Sequence, residues 1–253
     1  MVLTLRRAYD AAVPENAVLL HGFSGTRRAW DGVVAHLDAE RYRPVALDLP
    51  GHGELGGLSG PITFAGCVQY VLAHVPPVFT LCGYSMGGRL ALQVALAAPE
   101  RVLRLVLIAC SPGIEDPAER AARRRADREL ADELERAPFE QFIERWRSQP
   151  LFAGEPPQVG ELAREDQRRN DPLALAAVLR GIGTGEMEPL WGRLCDLAMP
   201  VTVLVGDRDA KFIEIGRRMA ERLPQGELVV VGGGHALALE NPLAVARALE
   251  GRD

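Results

Sequence analysis

One serine near the middle of the chain stands in a pattern typical of a catalytic nucleophile. Ser85 is the centre of the Gly-Tyr-Ser-Met-Gly segment 83–87, which follows the apolar run 78–82 and precedes the helix-like stretch 89–96. Between a strand and a helix, such a turn is so sharp that only small residues can flank the serine, and its hydroxyl is exposed. The alternative is a glycine-rich turn with a surface serine. The strand and helix on either side favour the nucleophile.

A serine nucleophile needs a base within hydrogen-bond reach and a carboxylate that orients this base. With a nucleophile at such a turn, the acid and then the histidine follow it in the chain, each on a loop after a later strand. His235 is the only histidine after Ser85, and it follows the apolar run 228–231 through three glycines. We therefore predict that His235 is the base.

Two carboxylates compete for the role of the acid. Asp207 and Asp209 both follow the apolar run 201–205. We prefer Asp209, because the acid normally lies a few residues past the strand end, where the loop can turn towards the histidine. Asp207 would then pair with Arg208 or shape the turn.

The remaining histidines and the cysteines have structural interpretations. His21 ends a strand and shapes the loop whose Phe23 backbone N–H would join that of Met86 in an oxyanion hole. His52 is expected to fix a loop by hydrogen bonds, and the other two histidines lie in helical patterns. The cysteines show no CxxC pair and no histidine at zinc-ligand spacing, so we expect small buried residues and no metal site. The two histidines in helical patterns are His36 and His74, and the four cysteines are Cys67, Cys82, Cys110 and Cys195.

The elements that must position this chemistry are short apolar runs that alternate with helical patterns. Runs that are apolar throughout suit parallel strands covered on both faces by helices, so the fold class is α/β with a mostly parallel central sheet. A further edge strand is expected at residues 2–6. The six main runs are 18–20, 44–47, 78–82, 102–108, 201–205 and 228–231.

The alternation stops between about residues 112 and 191, where helical patterns replace strands. We predict a helical cap at 112–191, inserted into a core formed by 1–111 and 192–253. The helical patterns are 118–136, 139–146 and 173–179, and the connectors are Pro156-Pro157 and residues 181–185. The alternative is a solvated helical flap with charged faces.

Composition limits the class of protein. The 253 residues are 47% hydrophobic and 25% charged, enough for one sizeable core with a cap. The net charge of −5 gives no reason to expect nucleic acid. No apolar run approaches the 18 or so residues of a membrane span, and residues 1–7 lack the pattern of a secretory signal. We expect a cytoplasmic protein.

Taken together, these motifs resemble the α/β-hydrolase fold over nearly the full length of the chain. More narrowly, the chain is similar to the 2-succinyl-6-hydroxy-2,4-cyclohexadiene-1-carboxylate synthases of menaquinone biosynthesis. The segments that carry the general resemblance are 21–23, 48–53, 83–87, the Asp209 loop and 234–235. The narrower resemblance rests on 83–89, 118–123, 183–185 with 189–191, and 209–212.

This resemblance implies a lyase without a cofactor. The synthases eliminate pyruvate from 2-succinyl-5-enolpyruvyl-6-hydroxy-3-cyclohexene-1-carboxylate, and no water is added. The triad would be Ser85, Asp209 and His235. The residues lining the substrate pocket would be Tyr84, Arg89, Arg123, Trp146 and Arg168.

Arginines suit a small-molecule substrate with three carboxylates, since guanidinium groups replace lost hydration with bidentate, charge-assisted hydrogen bonds. Arg89 stands one helical turn after Ser85. The alignment is uncertain between 154 and 169, so Arg169 or Arg164 could take the place of Arg168. The alternative for Arg123 and Arg168 is a solvated helix face.

Lys211 is the only lysine among 29 basic residues, and it stands two residues after Asp209. It would fix the Asp209 loop or interact with substrate charge, or it stands there by chance. Two other functions remain open from the sequence. One is a serine esterase or carbon–carbon hydrolase, and the other is a non-catalytic ligand-binding protein on the same fold.

Overall fold

The computed structural model describes residues 14–57 and 60–251. The strand expected at 2–6 lies outside this range. Within it, six parallel strands form one sheet in the order β2-β1-β3-β4-β5-β6. The strands are β1 Glu15–Leu20, β2 Tyr42–Leu47, β3 Phe79–Tyr84, β4 Val102–Ile108, β5 Val201–Gly206 and β6 Gly226–Val231.

Helices cover both faces of the sheet and fill the segment between β4 and β5. They are α1 Asp31–Val34, α2 Phe64–His74, α3 Met86–Ala97, α4 Pro117–Arg136, α5 Phe139–Arg147, α6 Pro157–Gln167, α7 Pro172–Ile182, α8 Ala210–Ala220, α9 Leu237–Glu240 and α10 Pro242–Glu250. None of the helices in the described ranges is long and apolar enough to cross a membrane.

The central strands are apolar on both faces because both faces are buried. Val18 and Leu20 of β1 pack on one side with α2, α3 and α8, whereas Leu19 packs on the other side with α1 and α10. A strand between two helical layers therefore needs a continuous apolar run instead of an alternating one. This architecture confirms the α/β-hydrolase fold class predicted from the sequence.

The strand order explains where a site can form. β1 lies between β2 and β3, so the chain leaves β1 towards one side of the sheet and later returns on its other side to form β3. The loops that follow β1 and β3 consequently diverge at the carboxyl edge, where open α/β sheets bind their ligands. The loop after β1 begins at His21, and Ser85 directly follows β3.

The helical insertion lies between Ile108 and Val201, and we call residues 112–191 the cap. It begins with a well-formed helix start, because Asp116 accepts a hydrogen bond from the backbone N–H of Glu119 and Pro117 is the first residue of α4. Helices α4, α5 and α7 share a small apolar core of their own. Its buried members are Ala131, Leu134, Phe142, Leu175, Ala176 and Leu179.

The connector predicted at Pro156-Pro157 includes only Pro156, since Pro157 is the first residue of α6. Proline suits this position because its fixed φ is helical and its missing N–H needs no partner there. Pro156 itself is extended, with ψ of 138°. The expected turn at 181–185 also begins later, because Gly181 belongs to α7.

Three of the four cysteines are buried, but Cys195 is exposed, which corrects the expectation of four buried thiols. Burial raises the pKa of the Cys67 thiol to about 11 and that of Cys110 to about 12. These thiols are therefore protonated near neutral pH and behave as small apolar side chains.

Candidate active site

The turn at Ser85 has the strained backbone that its sequence predicts. Ser85 has φ of 51° and ψ of −106° at the start of α3, and its N–H donates to the carbonyl of Ile108 at 2.9 Å. A Cβ on Gly87 would lie 2.1 Å from the carbonyl oxygen of Leu20, and one on Gly83 would lie 2.3 Å from that of Gly87. Glycine is required at both positions, because the strand, turn and helix approach so closely.

Ser85, His235 and Asp209 form one hydrogen-bonded chain. The Oγ of Ser85 lies 3.2 Å from Nε2 of His235, and Nδ1 of His235 lies 2.7 Å from Oδ2 of Asp209. His235 is 2% and Asp209 8% exposed. A carboxylate at Nδ1 favours the tautomer whose Nε2 can accept the serine proton.

The loops that carry Asp209 and His235 are held together by a backbone hydrogen bond and by the side chain of Asp207. Gly233 donates its N–H to Oδ1 of Asp207 at 3.0 Å, and the N–H of Arg208 donates to the carbonyl of Gly233 at 3.0 Å. A Cβ on Gly206 would lie 2.3 Å from the carbonyl oxygens of both Gly233 and Gly234. Asp207 therefore shapes the turn and Asp209 faces the imidazole.

The loop 21–26 carries Phe23, which is predicted to donate to an oxyanion, and we call it the oxyanion loop. It is fixed by two buried imidazoles. Nε2 of His21 accepts the N–H of Leu49 at 3.0 Å, and Nε2 of His52 accepts the N–H of Ser24 at 3.3 Å. Burial lowers the pKa of both rings, more strongly for His52. Both histidines act as neutral structural residues at the end of the strands.

A cavity of about 490 Å³ lies between Ser85 and the cap. Its walls combine apolar side chains with both signs of charge. The sequence-predicted residues in its lining are Phe23, Ser85, Met86, Arg89, Arg123, Trp146, Lys211 and His235. Further lining residues that were not predicted as substrate-binding residues include Glu115, Glu119, Thr184, Phe212, Ile215 and Arg218.

Arg89 forms part of the floor of this cavity and is only 8% exposed. Its guanidinium donates to the hydroxyl of Thr184, which belongs to the cap. Burial lowers the pKa of Arg89 to about 10, and repulsion from Arg123 acts in the same direction. The group remains protonated at neutral pH, so it presents a poorly hydrated positive charge one turn from Ser85.

Arg123 reaches the cavity from α4 of the cap. Its Nε donates to Oδ1 of Asp127 at 2.7 Å, and Oδ2 of Asp127 accepts the backbone N–H of Gly185 at 3.1 Å. Asp127 is 1% exposed. One buried carboxylate thus holds both a pocket arginine and the turn that carries Thr184.

The two predicted aromatic residues have different positions. Trp146 lines the cavity and contacts the ring of Phe23 edge-on, with centroids 5.0 Å apart. Tyr84 is absent from this lining but lines a smaller cavity that Phe23 and Trp146 also border, and its ring centroid lies 5.4 Å from that of His235. Burial raises the pKa of Tyr84. Tyr84 therefore packs beside the imidazole and does not line the cavity at Ser85.

Arg168 was predicted to line the pocket, but the structure directs it away from the pocket. Its guanidinium contacts Glu140 at 2.5 Å and Glu161 at 3.6 Å on the outer surface of the cap. The other candidates, Arg164 and Arg169, are paired with Glu144 and Asp166. Helix α6, unexpected at Pro157, sets this orientation and turns other side chains of its last turn towards the core.

Lys211 lines the mouth of the cavity, where its Nζ lies 5.6 Å from the ring centroid of Phe212. Nearby Arg218 pairs with Glu115 at 2.7 Å and lies over the ring of Trp191. The cavity lining therefore includes the compact ammonium of Lys211 and the guanidinium of Arg218, which already has a carboxylate partner.

This arrangement can perform proton transfer next to a bound anion. A serine hydroxyl faces an oriented imidazole, and Phe23 and Met86, which follow β1 and β3, line the same cavity as the guanidinium groups of Arg89 and Arg123. No cluster of three or more metal-ligating side chains occurs in the part of the chain that the structure describes.

Comparison with known proteins agrees with this geometry. The profile of the Alpha/beta hydrolase family matches residues 17–248. A 2-succinyl-6-hydroxy-2,4-cyclohexadiene-1-carboxylate synthase of Enterobacter sp. is 34% identical, covering 92% of this chain and 89% of its own length. The synthase of the same name from Klebsiella pneumoniae is 33% identical, covering 92% and 91%. The structure of MenH from S. aureus superposes with a TM-score of 0.89 at 30% identity, covering 96% of this chain and 95% of that one.

Proposed function

The chain belongs to the alpha/beta hydrolase family and, within it, to the 2-succinyl-6-hydroxy-2,4-cyclohexadiene-1-carboxylate synthases, and from this premise we propose how its residues eliminate pyruvate. The substrate is 2-succinyl-5-enolpyruvyl-6-hydroxy-3-cyclohexene-1-carboxylate, an intermediate of menaquinone biosynthesis. The observation that carries the proposal is the hydrogen-bonded chain Ser85–His235–Asp209 at a cavity that is also lined by Arg89 and Arg123.

The first step is removal of a ring proton. His235, oriented by Asp209, accepts the proton of the Ser85 hydroxyl as the serine oxygen takes a proton from the ring carbon. The distances of 3.2 Å and 2.7 Å along this chain support such a transfer. Ser85 acts here as a base, and no bond to carbon forms.

The electron pair left on the ring is delocalised onto the succinyl carbonyl oxygen. The backbone N–H groups of Phe23 and Met86 are our candidates for stabilising this oxyanion, because donors fixed in advance cost no reorganisation during the reaction. The carbon–oxygen bond to the enolpyruvyl group then breaks. The departing enolate of pyruvate takes up a proton, and the imidazolium of His235 can return the one it received.

Binding of the carboxylates falls to the cations of the cavity. Arg89 and Arg123 are close enough for mutual repulsion, and Asp127 is the carboxylate that opposes it. Two guanidinium groups with one buried counter-charge leave an excess positive charge, which a substrate carboxylate would neutralise. Lys211 at the mouth is a candidate for a further carboxylate.

The test is pyruvate release from the purified chain, coupled to NADH oxidation by lactate dehydrogenase. We expect turnover by the wild-type chain and a loss of about 10³-fold or more in Ser85→Ala. Ser148→Ala is the matched control, because the Ser148 hydroxyl donates to Arg145 on the cap surface.

Three outcomes would contradict the proposal. Rapid hydrolysis of nitrophenyl acetate with no pyruvate would indicate an esterase. Tight binding of the substrate in both wild type and Ser85→Ala, without either activity, would indicate a binding protein. Equal pyruvate release by wild type and Ser85→Ala would remove Ser85 from the mechanism.

A further inference from the structure

The oxyanion loop is bonded to the cap as extensively as to the core. Asp166 and Gln167 at the end of α6, and Asn170 just after it, direct their side chains onto this loop and its neighbour. We infer that these three residues, which we call the cap clasp, position the backbone N–H of Phe23 for catalysis. The inference rests on the proposed function, since it assigns positioning residues to that reaction.

Asp166 makes the strongest contact. Its Oδ2 accepts the backbone N–H of Thr26 at 2.8 Å, and its Oδ1 accepts the Thr26 hydroxyl at 2.5 Å. Both residues are buried, with Asp166 7% and Thr26 2% exposed. A carboxylate is the side chain that accepts from two donors at once, whereas an amide of the same shape offers one oxygen.

Gln167 and Asn170 hold the residue next to Phe23. Nε2 of Gln167 donates to Oγ of Ser24 at 2.8 Å, and Nδ2 of Asn170 donates to the carbonyl of Ser24 at 2.8 Å. Oδ1 of Asn170 accepts the N–H of Gly53 at 2.9 Å, so it also joins the two loops of the core.

The loop needs such support because its backbone is strained. Ser24 has φ of 61°, a left-handed conformation that costs a non-glycine residue free energy and persists only where surrounding contacts fix it. The core contributes the hydrogen bond from Ser24 N–H to His52, and the cap contributes the contacts of Gln167 and Asn170. The peptide that carries the Phe23 N–H joins Gly22 to Phe23 and lies one residue before Ser24.

Two neighbouring features agree with a role of the clasp in catalysis. The ring of Phe23 packs edge-on against Trp146 of α5, so the cap contacts both the side chain and the following backbone of Phe23. Asp166 is partnered mainly by neutral donors, since the guanidinium of Arg169 is 3.8 Å away and 55% exposed. The main partners of the Asp166 carboxylate are therefore the donors of Thr26, and its ion pair with Arg169 is secondary.

A donor displaced from the developing oxyanion lowers the rate of the chemical step, while the guanidinium groups that bind the substrate stay in place. Loosening the clasp should therefore lower kcat and leave KM nearly unchanged. A purely structural role would instead reduce the fraction of folded enzyme, with both constants unchanged per folded molecule.

The experiment compares Asp166→Asn with Glu165→Gln, its exposed neighbour on the same helix. Pyruvate release gives kcat and KM, and hydrogen–deuterium exchange gives the protection of amides 22–26. We expect Asp166→Asn to lower kcat by about 10- to 100-fold with KM within about 3-fold, and to speed exchange in this loop. Glu165→Gln should match the wild type in each measurement.

The inference is overturned if Asp166→Asn keeps its kcat, if only KM rises, or if exchange in 22–26 is unchanged. Should Asp166→Asn fail to fold, Asn170→Ala gives the same readouts with a smaller expected loss, and an unchanged kcat there has the same meaning. If the wild-type chain releases no pyruvate, the proposed function fails. The exchange measurement then still decides whether the clasp fixes the loop.

Discussion

The Nε of Arg123 lies 2.7 Å from the carboxylate of Asp127, which is nearly inaccessible to water and also accepts the N–H of Gly185. The carboxylate orients a pocket arginine and the turn that reaches Arg89 through Thr184. The substrate binding proposed for the two arginines would therefore depend on an acid that does not itself line the cavity.

Replacement of this acid should weaken binding more than catalysis. We predict that Asp127→Asn raises KM about 10-fold with a smaller change in kcat, because a charge-assisted hydrogen bond of about 1.5–3 kcal/mol is lost and the two guanidinium groups repel each other unopposed. Steady-state kinetics of pyruvate release measures this effect. Asp132→Asn is the control on the same helix, and its carboxylate pairs with Arg180.

A double-mutant cycle shows whether Asp127 acts through Arg123. The effects of Asp127→Asn and Arg123→Ala on KM should be clearly less than additive when combined, since either change alone removes the oriented guanidinium. Additive effects would mean that the two residues act independently.

The choice between the two carboxylates after β5 can be tested directly. We predict that Asp209→Asn lowers kcat by about 10²- to 10⁴-fold, because the amide no longer fixes the imidazole tautomer that accepts the serine proton. Asp207→Asn should retain most activity, since an amide oxygen can still accept the N–H of Gly233. A larger loss in Asp207→Asn would reverse the assignment.

Gly206 is predicted to be essential for the alignment of acid and base. A methyl group there would meet the carbonyl oxygens of Gly233 and Gly234, so Gly206→Ala must push the two loops apart. We expect a loss of about 1–3 kcal/mol in the free energy of unfolding and a large loss of kcat. Urea unfolding and pyruvate release check this result against Gly192→Ala, whose added methyl would meet open space.

The buried imidazoles predict a dependence of stability on pH. Burial lowers the pKa values of His21 and His52 below 6.5, so the unfolded chain binds more protons than the folded chain between those values and 6.5. The free energy of unfolding is therefore retained above pH ~6.5 and falls as the pH decreases below it, by at most about 1.4 kcal/mol per pH unit for each ring.

Urea unfolding between pH ~5.5 and ~7.5 measures this slope. His52→Gln should make the dependence of the unfolding free energy on pH shallower, because the variant lacks one of the two buried imidazoles with a lowered pKa. His74→Gln should leave the slope unchanged, since His74 is exposed. An equal slope in wild type and His52→Gln would contradict the prediction.

The sheet and the serine turn could be predicted because their signals are local. Four of the six apolar runs gained only one to three residues at their ends in the structure, and the run 102–108 has the same bounds as β4. The remaining run, 78–82, lost Val78 and gained two residues at its other end. A strand buried on both faces must be apolar throughout, and the turn at Ser85 needs its glycines. Each of these requirements can be recognised in the amino-acid sequence of one short segment.

The cap contacts could not be predicted because they depend on which side of a helix faces the core. Arg168 and Gln167 are neighbours in the sequence, yet one meets Glu140 at the surface and the other meets Ser24 in the interior. The rotation of α6 about its axis determines which of the two side chains faces the interior, and this helix begins at Pro157. Arg168 was predicted to bind substrate because it is an arginine. In the structure, the neighbouring Gln167 is the residue that faces the interior.

The distance along the chain between Thr26 and Asp166, 140 residues, also has a consequence for biosynthesis. During translation, strands β1 to β4 are synthesised before α6. The contact between Thr26 and Asp166 can form only after the polypeptide between them has left the ribosome. A nascent chain can therefore assemble the serine turn early, but its oxyanion loop waits for the last turn of α6. A half-made polypeptide would therefore lack the support of this loop as well as Asp209 and His235, so we expect catalytic competence only after synthesis is well past the midpoint.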